Sequence, residues 1–227
     1  MADTAYISHQ SWLEKSTIEL RSSSQTAALD ARVLLSHCLQ KPFSYMLTWP
    51  DRAIDEATLL KLNHLKQRRL NGEPIAYLTG YREFWSMNFK VTADVLIPRP
   101  ETEHLVEWAL LCLEQLRARQ PNAESADDSE KNYKLLELGT GSGVIAIALG
   151  KENPTLQIVA TDNSAKALQI AQENASLNQS TNVQFVKGNW FECVTDRDFD
   201  IILSNPPYIA ATDPHLSQGD LPYEPLS

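Results

Sequence analysis

The sequence predicts an α/β fold, in which a parallel sheet carries helices on both faces and a small helical bundle precedes it. From Tyr133 onward, short apolar runs alternate with helical segments, which is typical of doubly wound sheets. The first seventy residues show only the helical period. At 227 residues, the chain is long enough for one large domain or two small ones.

Three segments near the amino terminus have apolar residues at helical spacing. They are SHQSWLEKSTIELRSS, TAALDARVLLSHCLQK and DEATLLKLNHLKQRRLNG. The third opens with acidic residues and stops at Gly72 before Pro74, which are ordinary start and stop signals for a helix. Because short polar turns join the segments, we expect a helical bundle over residues 1–73.

The net charge of −9 is unevenly distributed. The first 72 residues hold nine Lys/Arg against seven Asp/Glu, and the remainder holds 11 against 22. Residues 73–227 are therefore strongly acidic. This argues against nucleic acid as a direct partner, since neutralisation of the phosphates by basic side chains supplies much of the affinity of a protein for nucleic acid. The basic cluster of Lys66, Arg68 and Arg69 is interpreted as a solvated helix face, with a docking surface for an acidic or RNA-associated partner as the alternative.

Composition also indicates in which cellular compartment the protein acts. No stretch reaches the roughly 18 uncharged apolar residues of a membrane span, and the charged amino terminus does not fit a secretory signal. Cys38, Cys112 and Cys193 are odd in number and far apart, so they form neither a disulfide framework nor a zinc site. We therefore expect buried thiols, no metal, no membrane contact and a cytoplasmic enzyme.

Residues 74–100 are predicted to form a β-hairpin linker. In REFWSMNFKVT, apolar and polar side chains alternate from Trp85 to Val91, as in a half-exposed strand or hairpin. A proline-bounded turn and a helix follow, and Glu101 and Glu103 suit the positive end of that helix. The polar, acidic stretch at 120–132 is predicted to be an exposed loop.

Four short apolar runs supply the predicted sheet: KLLEL, QIVAT, NVQFVK and FDIILS. The intervening helices are GVIAIALGKE and SAKALQIAQENASL. FDIILS is apolar throughout, which predicts a strand buried on both faces.

The turn after the first strand, ELGTGSG, has glycines that allow its backbone to approach a ligand at the start of a helix. Its G-x-G-x-G spacing differs from the G-x-G-x-x-G that binds a dinucleotide pyrophosphate. Glu137 precedes the first glycine by two positions and suits a ligand with a cation, such as the amino group of S-adenosylmethionine. The turn consists of Gly139, Thr140, Gly141, Ser142 and Gly143.

The ends of the second and third strands carry further candidate ligand residues. Asp162 lies nineteen residues after Gly143, where doubly wound folds place a carboxylate on ribose hydroxyls. A helix N-cap is the alternative, although Ser164 is available for that role. In GNWFE, Asn189 would pair with an adenine edge and Trp190 would cover its face, with core packing as the alternative for the tryptophan.

A stretch of unusual chemistry, SNPPYIA, ends the fourth strand. Pro206 and Pro207 lack backbone N–H groups and fix φ at about −65°, so the strand cannot continue. Asn205 projects into the crevice where open α/β sheets bind ligands. Its amide oxygen and the Pro206 carbonyl would accept from a planar NH₂ group on which Tyr208 stacks. The stretch therefore predicts a site for an amide or exocyclic amine that accepts a methyl group.

N-P-P-Y after the fourth strand, combined with E-x-G-x-G-x-G, resembles the amino-methyltransferases that use S-adenosylmethionine. The wider chain resembles one branch, the HemK/PrmC release-factor glutamine methyltransferases. The matching stretches are GEPIAYLTGYREFW, VLIPRPETE, LELGTGSG, ATDNSAKALQIAQENA, SNPPYI and YEP. Together with the helical amino-terminal segment, the resemblance covers nearly the whole chain, and N-P-P-Y with P-R-P-E-T-E is highly specific.

The resemblance implies a class I S-adenosylmethionine-dependent methyltransferase domain with a Rossmann-like sheet over residues 101–227. It implies methylation of the side-chain amide nitrogen of the glutamine in the Gly-Gly-Gln motif of class 1 peptide chain release factors. The helical domain would dock the release factor, and we expect the chain to be a monomer.

Residue roles are carried over by position. Gly139 to Gly143 would form the cofactor loop, Asp162 the ribose ligand and Trp190 the adenine neighbour. The glutamine amide would be held by Asn205, Pro206, Pro207 and Tyr208, with Asn205 also near the cofactor. An amide nitrogen is a poor nucleophile and no obvious base stands beside the motif. Catalysis is therefore assigned to orientation by Asn205, Pro206 and Tyr208.

Two departures from the family pattern stand out. Asn189 occupies a position where the family usually has aspartate, so acceptance from the adenine amino group is weaker. The chain also ends at Ser227, whereas the fold ordinarily continues through about three more strands. We therefore expect a carboxy-terminally incomplete sheet with the fourth strand at its edge.

Three alternative functions share some of these features. An adenine-N6 methyltransferase acting on DNA or RNA also handles a planar NH₂ group, but the acidic body counts against it. A ribosomal-protein glutamine methyltransferase would share every catalytic motif. An inactive cofactor-binding or scaffolding module is the third.

Overall fold

The computed structural model describes residues 6–119, 132–206, 213 and 219–225. Its contacts divide the chain into two units. One unit holds the described residues up to Gly80 together with 219–223, and the other holds those from Tyr81 to 213 together with 224 and 225. The loop predicted at 120–132 lies, except for its last residue, outside the described residues.

The first unit is helical. Its helices are α1 (His9–Leu20), α2 (Ala27–Leu39), α3 (Phe43–Thr48), α4 (Glu56–Leu70) and α5 (Ile75–Thr79). The three predicted helices, α1, α2 and α4, are confirmed. Ser8 and Asp55 cap α1 and α4 by accepting from the backbone N–H three residues on. Helices α3 and α5, with six and five residues, are too short to show a helical period in the sequence.

An apolar core joins these helices, and it includes Trp12, Leu20, Leu34, Leu35 and Leu62. Two residues of the predicted apolar pattern are not part of it, because Ile18 is 66% exposed and Leu29 57% exposed.

The basic cluster on α4 is not the solvated face that we expected. Its members form ion pairs within the helical unit: Lys66 with Glu19, Arg68 with Glu73, and Arg69 with Asp30. The side chains of Lys66 and Arg69 are only 13% exposed. The pairs of Lys66 and Arg69 therefore join α4 to α1 and α2, the pair of Arg68 is local, and each of the three charges already has a carboxylate partner.

The second unit begins with the predicted hairpin, formed by antiparallel strands β1 (Tyr81–Phe84) and β2 (Met87–Lys90). Trp85 and Ser86 form its two-residue turn with φ of 52° and 55°, the left-handed backbone that suits the twist of a hairpin. The turn interrupts the alternation of apolar and polar side chains that we expected from Trp85 to Val91. Trp85 lies in the turn and not in a strand, and the buried aromatic residues of the hairpin are Phe84 and Phe89.

After a 3₁₀ turn at Pro100–Thr102, the unit continues with α6 (Glu103–Ala118) and the predicted sheet. The strands are β3 (Lys134–Leu138), β4 (Gln157–Asp162), β5 (Val183–Lys187) and β6 (Ile201–Ser204), with α7 (Val144–Glu152) and α8 (Ala165–Leu177) between them. All four are parallel, in the order β5-β4-β3-β6. The α/β prediction is confirmed.

In the part of the chain that the structure describes, the helices next to the sheet cover one of its faces, whereas we expected helices on both. Helix α7 contacts both α6 and α8, so the three form a single layer. The connection from β5 to β6, which would supply a helix to the opposite face, contains none over residues 188–200. As a result Ile202 is 53% exposed, and the expectation that FDIILS is buried on both faces is wrong at this residue. Among the described residues, β6 pairs with β3 alone.

The prediction of buried thiols is also wrong. Cys112 is exposed on α6, and Cys38 and Cys193 are only partly buried. Within the described ranges, no helix combines the length and apolar character of a membrane span, and no group of side chains there is arranged to hold a metal ion.

Candidate active site

The predicted site residues converge at the carboxyl edge of the sheet. Gly139 directly follows β3, Asp162 ends β4, Trp190 comes shortly after β5, and Asn205 directly follows β6. Because the four strands are parallel and in register, their carboxyl ends meet at one edge. This is the edge at which open α/β sheets bind ligands.

The glycine loop is fixed to β4 by its backbone. Gly139 and Thr140 both donate from backbone nitrogen to the Thr161 carbonyl at 2.9 Å. Gly139 and Gly141 have φ of 72° and 57°, and a Cβ at either position would meet no atom within 4 Å. The first two glycines thus present open backbone where a ligand can approach.

The third glycine has a packing role. Gly143 has φ of 83°, and a Cβ there would lie 3.0 Å from Ile147 and 3.1 Å from Ala171. Its missing side chain therefore allows α7 and α8 to approach each other. Thr140 and Ser142 are buried as whole residues, so the accessible positions of the loop are Gly139 and Gly141.

The carboxylate of Asp162 bonds both the glycine loop and the segment that leads into α8. One carboxylate oxygen accepts from Gly141 N at 2.8 Å and the other from Ser164 N at 2.8 Å. The N-cap of α8 is Ser164, whose hydroxyl accepts from Ala167 N, so the N-cap alternative for Asp162 is wrong. A carboxylate oxygen has capacity for more than one hydrogen bond. Asp162 therefore fits a ribose diol.

Glu137 lies beneath the loop at 1% exposure. Its Oε2 accepts from Thr140 Oγ1 at 2.7 Å and from Ala146 N at 3.1 Å. Burial raises the pKa of this carboxyl to about 7, against the opposing effect of the two hydrogen bonds. Glu137 thus braces the loop and the start of α7, and its effect on a cationic ligand would pass through the loop.

Trp190 is 52% exposed, so the core-packing alternative is wrong. Its φ of 49° is unusual for a residue with a side chain. The neighbouring Asn189 donates its amide N–H to Glu192 at 3.4 Å, and Phe191 adds a second exposed ring. Trp190 is therefore accessible, and its contact with adenine stays a prediction.

Asn205 is half-buried and donates from Nδ2 to the Thr102 hydroxyl at 3.4 Å. The preceding Ser204 donates to the Leu138 carbonyl at 3.0 Å, which fixes the end of β6 against the end of β3. Pro206 is described and half-buried. Pro207 and Tyr208 lie outside the described residues.

Sequence reasoning missed three residues that make long-range side-chain bonds in this unit. Thr102 contacts Asn205, and the Arg99 guanidinium bonds both carboxylate oxygens of Glu224 at 2.7 and 2.8 Å. The signal for them was their position in the P-R-P-E-T-E and Y-E-P stretches. Their pairings, over a hundred residues apart in sequence, could not be read from it.

Asn174 was also missed. It is fully buried on α8 and bonds the backbone of Lys90 and of Ser142. Its signal was a polar residue on the apolar face of a helix, one turn after Ala171.

Comparisons with known proteins agree with this geometry. The family described as methyltransferase small domain matches residues 123–218, and the PrmC N-terminal domain matches residues 11–80. The release factor glutamine methyltransferase of Aliivibrio fischeri is 49% identical over 203 residues, which cover 89% of this chain and 66% of that protein.

Two other proteins named release factor glutamine methyltransferase show similar sequence identity and coverage. The protein of Vibrio cholerae is 47% identical, with 95% of this chain and 71% of that protein covered. The protein of Escherichia coli is 39% identical, with 96% and 73% covered. This chain thus spans about two thirds to three quarters of the length of these relatives, and it belongs to the family of release factor glutamine methyltransferases, enzymes that use S-adenosylmethionine.

Proposed function

We propose that this chain transfers a methyl group from S-adenosylmethionine to the side-chain amide nitrogen of the glutamine in the Gly-Gly-Gln motif of class 1 peptide chain release factors. The observation that carries the proposal is the meeting of two half-sites at one edge of the sheet. One is the open glycine loop with Asp162, and the other is Asn205, which Thr102 orients.

The cofactor half-site consists of Gly139 to Gly143 with Asp162 and Trp190. Asp162 would accept from the ribose hydroxyls, the open backbone at Gly139 and Gly141 would lie along the cofactor, and the exposed Trp190 would lie beside the adenine. When bound, S-adenosylmethionine supplies a methyl group that its sulfonium charge makes electrophilic.

The acceptor half-site consists of Asn205, Pro206, Pro207 and Tyr208. Because the amide nitrogen of Asn205 donates to Thr102, its oxygen is the atom that would accept from the substrate NH₂ group. The Pro206 carbonyl would accept the second N–H, and Tyr208 would stack on the amide plane.

Orientation is the main contribution to catalysis in this proposal. An amide lone pair is delocalised into its carbonyl, so two acceptors that fix the NH₂ group would favour attack by the nitrogen. Holding two reactants in a productive geometry can supply several kcal/mol of the barrier, and aimed hydrogen bonds add to this. The methylated amide nitrogen must release one proton, and we assign that proton to water, because the sequence places no obvious base beside the motif.

We assign the docking of the release factor to the helical domain over residues 1–73. Residues 74–100 would be the hairpin linker and 101–227 the methyltransferase domain. The match of the PrmC N-terminal domain supports a dedicated role for the helical part. Lys66, Arg68 and Arg69 are engaged by carboxylates of the same unit, so docking would use other residues. A substrate of the translation machinery also implies a cytoplasmic enzyme, which we propose acts as a monomer without direct contact to nucleic acid.

The experiment that tests this function is transfer of labelled methyl groups from S-adenosylmethionine. The acceptors are a class 1 release factor, the same factor with alanine in place of the motif glutamine, a ribosomal-protein fraction and DNA. We expect label in the intact release factor alone. Label in ribosomal protein or DNA, with none in the release factor, would overturn the proposal.

A further inference from the structure

We infer that Asn174 is a positioning residue that couples the β1–β2 hairpin to the cofactor loop and so sets the affinity for the cofactor. The inference rests on the proposed function, because it assigns the loop at Gly139 to Gly143 to S-adenosylmethionine. Asn174 lies on α8 and contacts the loop on the side away from the ligand, so it does not line the ligand site.

Asn174 uses its whole amide. Its Oδ1 accepts from Lys90 N at 2.6 Å, and its Nδ2 donates to the Lys90 carbonyl at 3.0 Å and to the Ser142 carbonyl at 2.9 Å. The donor and acceptor pattern fixes the orientation of the amide, since two carbonyls require the nitrogen and one N–H requires the oxygen. Asn174 thus bonds both β2 and the glycine loop.

The surroundings make these bonds costly to lose. Asn174 is 0% exposed, so water cannot replace the amide at the Ser142 carbonyl or at the Lys90 backbone. A buried polar group without a partner costs much more than one hydrogen bond is worth in water. The Ser142 carbonyl lies between Gly141 and Gly143, so its position affects the two glycines whose backbone shapes the loop.

Chemistry explains why an amide is needed. An apolar side chain of similar size would strand two carbonyls and one N–H, while a carboxylate would face two carbonyl oxygens that cannot donate. A second bond to the hairpin comes from Asn178, the C-cap of α8, whose Nδ2 donates to the Asn88 carbonyl at 3.1 Å and to the backbone carbonyl of Asn174 at 3.0 Å. Asn178 contacts no residue of the glycine loop among its hydrogen bonds in the described chain, which makes it a matched control.

The experiment compares Asn174→Ala, Asn174→Asp and Asn178→Ala in the full chain. The first measurement is hydrogen exchange at the amides of Gly141 and Gly143 without cofactor. These amides donate to Asp162 and to the Thr140 carbonyl. We expect exchange to be about tenfold faster in both Asn174 variants and unchanged in Asn178→Ala.

The second measurement is the Kd for S-adenosylmethionine by calorimetry. We expect a loss of roughly tenfold in the Asn174 variants and less than about twofold in Asn178→Ala. Asn174→Asp keeps the acceptor for Lys90 N, so it tests the loop if the alanine variant does not fold. Failure of both variants to fold would overturn the inference, because Asn174 would then determine the fold.

The two proposals fail differently. If the wild-type chain binds no S-adenosylmethionine, the proposed function is overturned, while the exchange experiment still tests the coupling. If wild type binds the cofactor and folded Asn174 variants show wild-type exchange and Kd, the coupling is overturned and the function stands.

Discussion

The two halves of the site are built differently. On the cofactor side, Glu137, Asp162 and Asn174 hold the glycine loop through three side-chain hydrogen bonds, and the Thr161 carbonyl accepts two more from the loop backbone. Glu137 and Asn174 are buried. On the acceptor side, Asn205 is half-buried and, among the described residues, donates one hydrogen bond of 3.4 Å to the Thr102 hydroxyl. Within the part of the chain that the structure describes, the cofactor half is thus held by more hydrogen bonds than the acceptor half.

This difference follows from where each half lies. The cofactor loop follows β3, a strand with neighbours on both sides, and leads into α7. Asn205 follows β6, which has one partner strand among the described residues and carries the exposed Ile202. Damage to the cofactor half should therefore affect binding and stability, whereas damage to the acceptor half should affect turnover alone.

The largest expected effect is at Asn205. In Asn205→Ala, turnover should fall by on the order of 10²–10³, since an aimed hydrogen bond in a catalytic site is lost. The free energy of unfolding should change by less than about 1 kcal/mol, because a small polar group at a crevice is removed. Single-turnover methylation at saturating S-adenosylmethionine, alongside chemical denaturation, measures both. Near-normal turnover in a folded variant would mean that the amide only ends the strand.

The buried carboxyl of Glu137 predicts an unusual pH dependence of stability. Its pKa of about 7 in the folded protein lies above the usual 4.5, so folding favours the protonated form. The stabilisation is complete below about pH 4.5 and is lost as the pH rises through 7. From the two pKa values, the loss is roughly 3 kcal/mol.

In Glu137→Gln, an uncharged amide oxygen can still accept from Thr140 and Ala146. The variant should therefore become more stable than wild type as the pH rises from 5 to 8, measured by denaturant unfolding at each pH. A constant difference in stability over this range would contradict the raised pKa.

Asp162→Ala should weaken cofactor binding. The ribose hydroxyls lose a charged acceptor, which costs roughly 1.5–3 kcal/mol, and Gly141 N loses its partner. Asp196→Ala is a suitable control, because that carboxylate pairs with Lys134 at the opposite end of β3. Calorimetry with S-adenosylmethionine should show the loss in the first variant alone. Equal affinity in both variants would remove the ribose assignment.

The sequence predicted most of the cofactor half and less of what supports it. Strands, glycine spacing and Asp162 are local patterns, because hydrophobic period and turn chemistry act over a few residues. The ion pairs of Lys66 and Arg69, and the bonds of Asn174 to Lys90 and Ser142, join residues 32 to 84 positions apart. Such pairings depend on the packing of whole elements, so no local pattern reports them.

The exposure of β6 had a different cause. An apolar run such as FDIILS predicts burial on both faces only if a helix covers each face, and residues 188–200 form no helix. The helical period is a reliable sign where it is present. The lack of a helical period between β5 and β6 indicates equally well that this connection places no helix over the second face of the sheet.

The smallest expected effect tests the acceptor half at its only described support. Thr102→Val keeps the shape of the side chain and removes the hydroxyl that accepts from Asn205 Nδ2. The bond is long, so its loss should cost only about 1 kcal/mol, or roughly fivefold in kcat. The Kd for S-adenosylmethionine should not change. Within the described chain, the hydrogen bonds of Thr102 reach neither the glycine loop nor Asp162. Thr102→Ser should restore kcat, since the hydroxyl returns.

A double variant decides whether Thr102 acts through Asn205. In an Asn205→Ala background the hydroxyl has no amide to orient, so adding Thr102→Val should lower kcat no further. If the two losses multiply instead, Thr102 acts on the substrate or on the fold of the 3₁₀ turn at Pro100–Thr102, and the contrast between a braced cofactor half and a singly supported acceptor half would have to be abandoned.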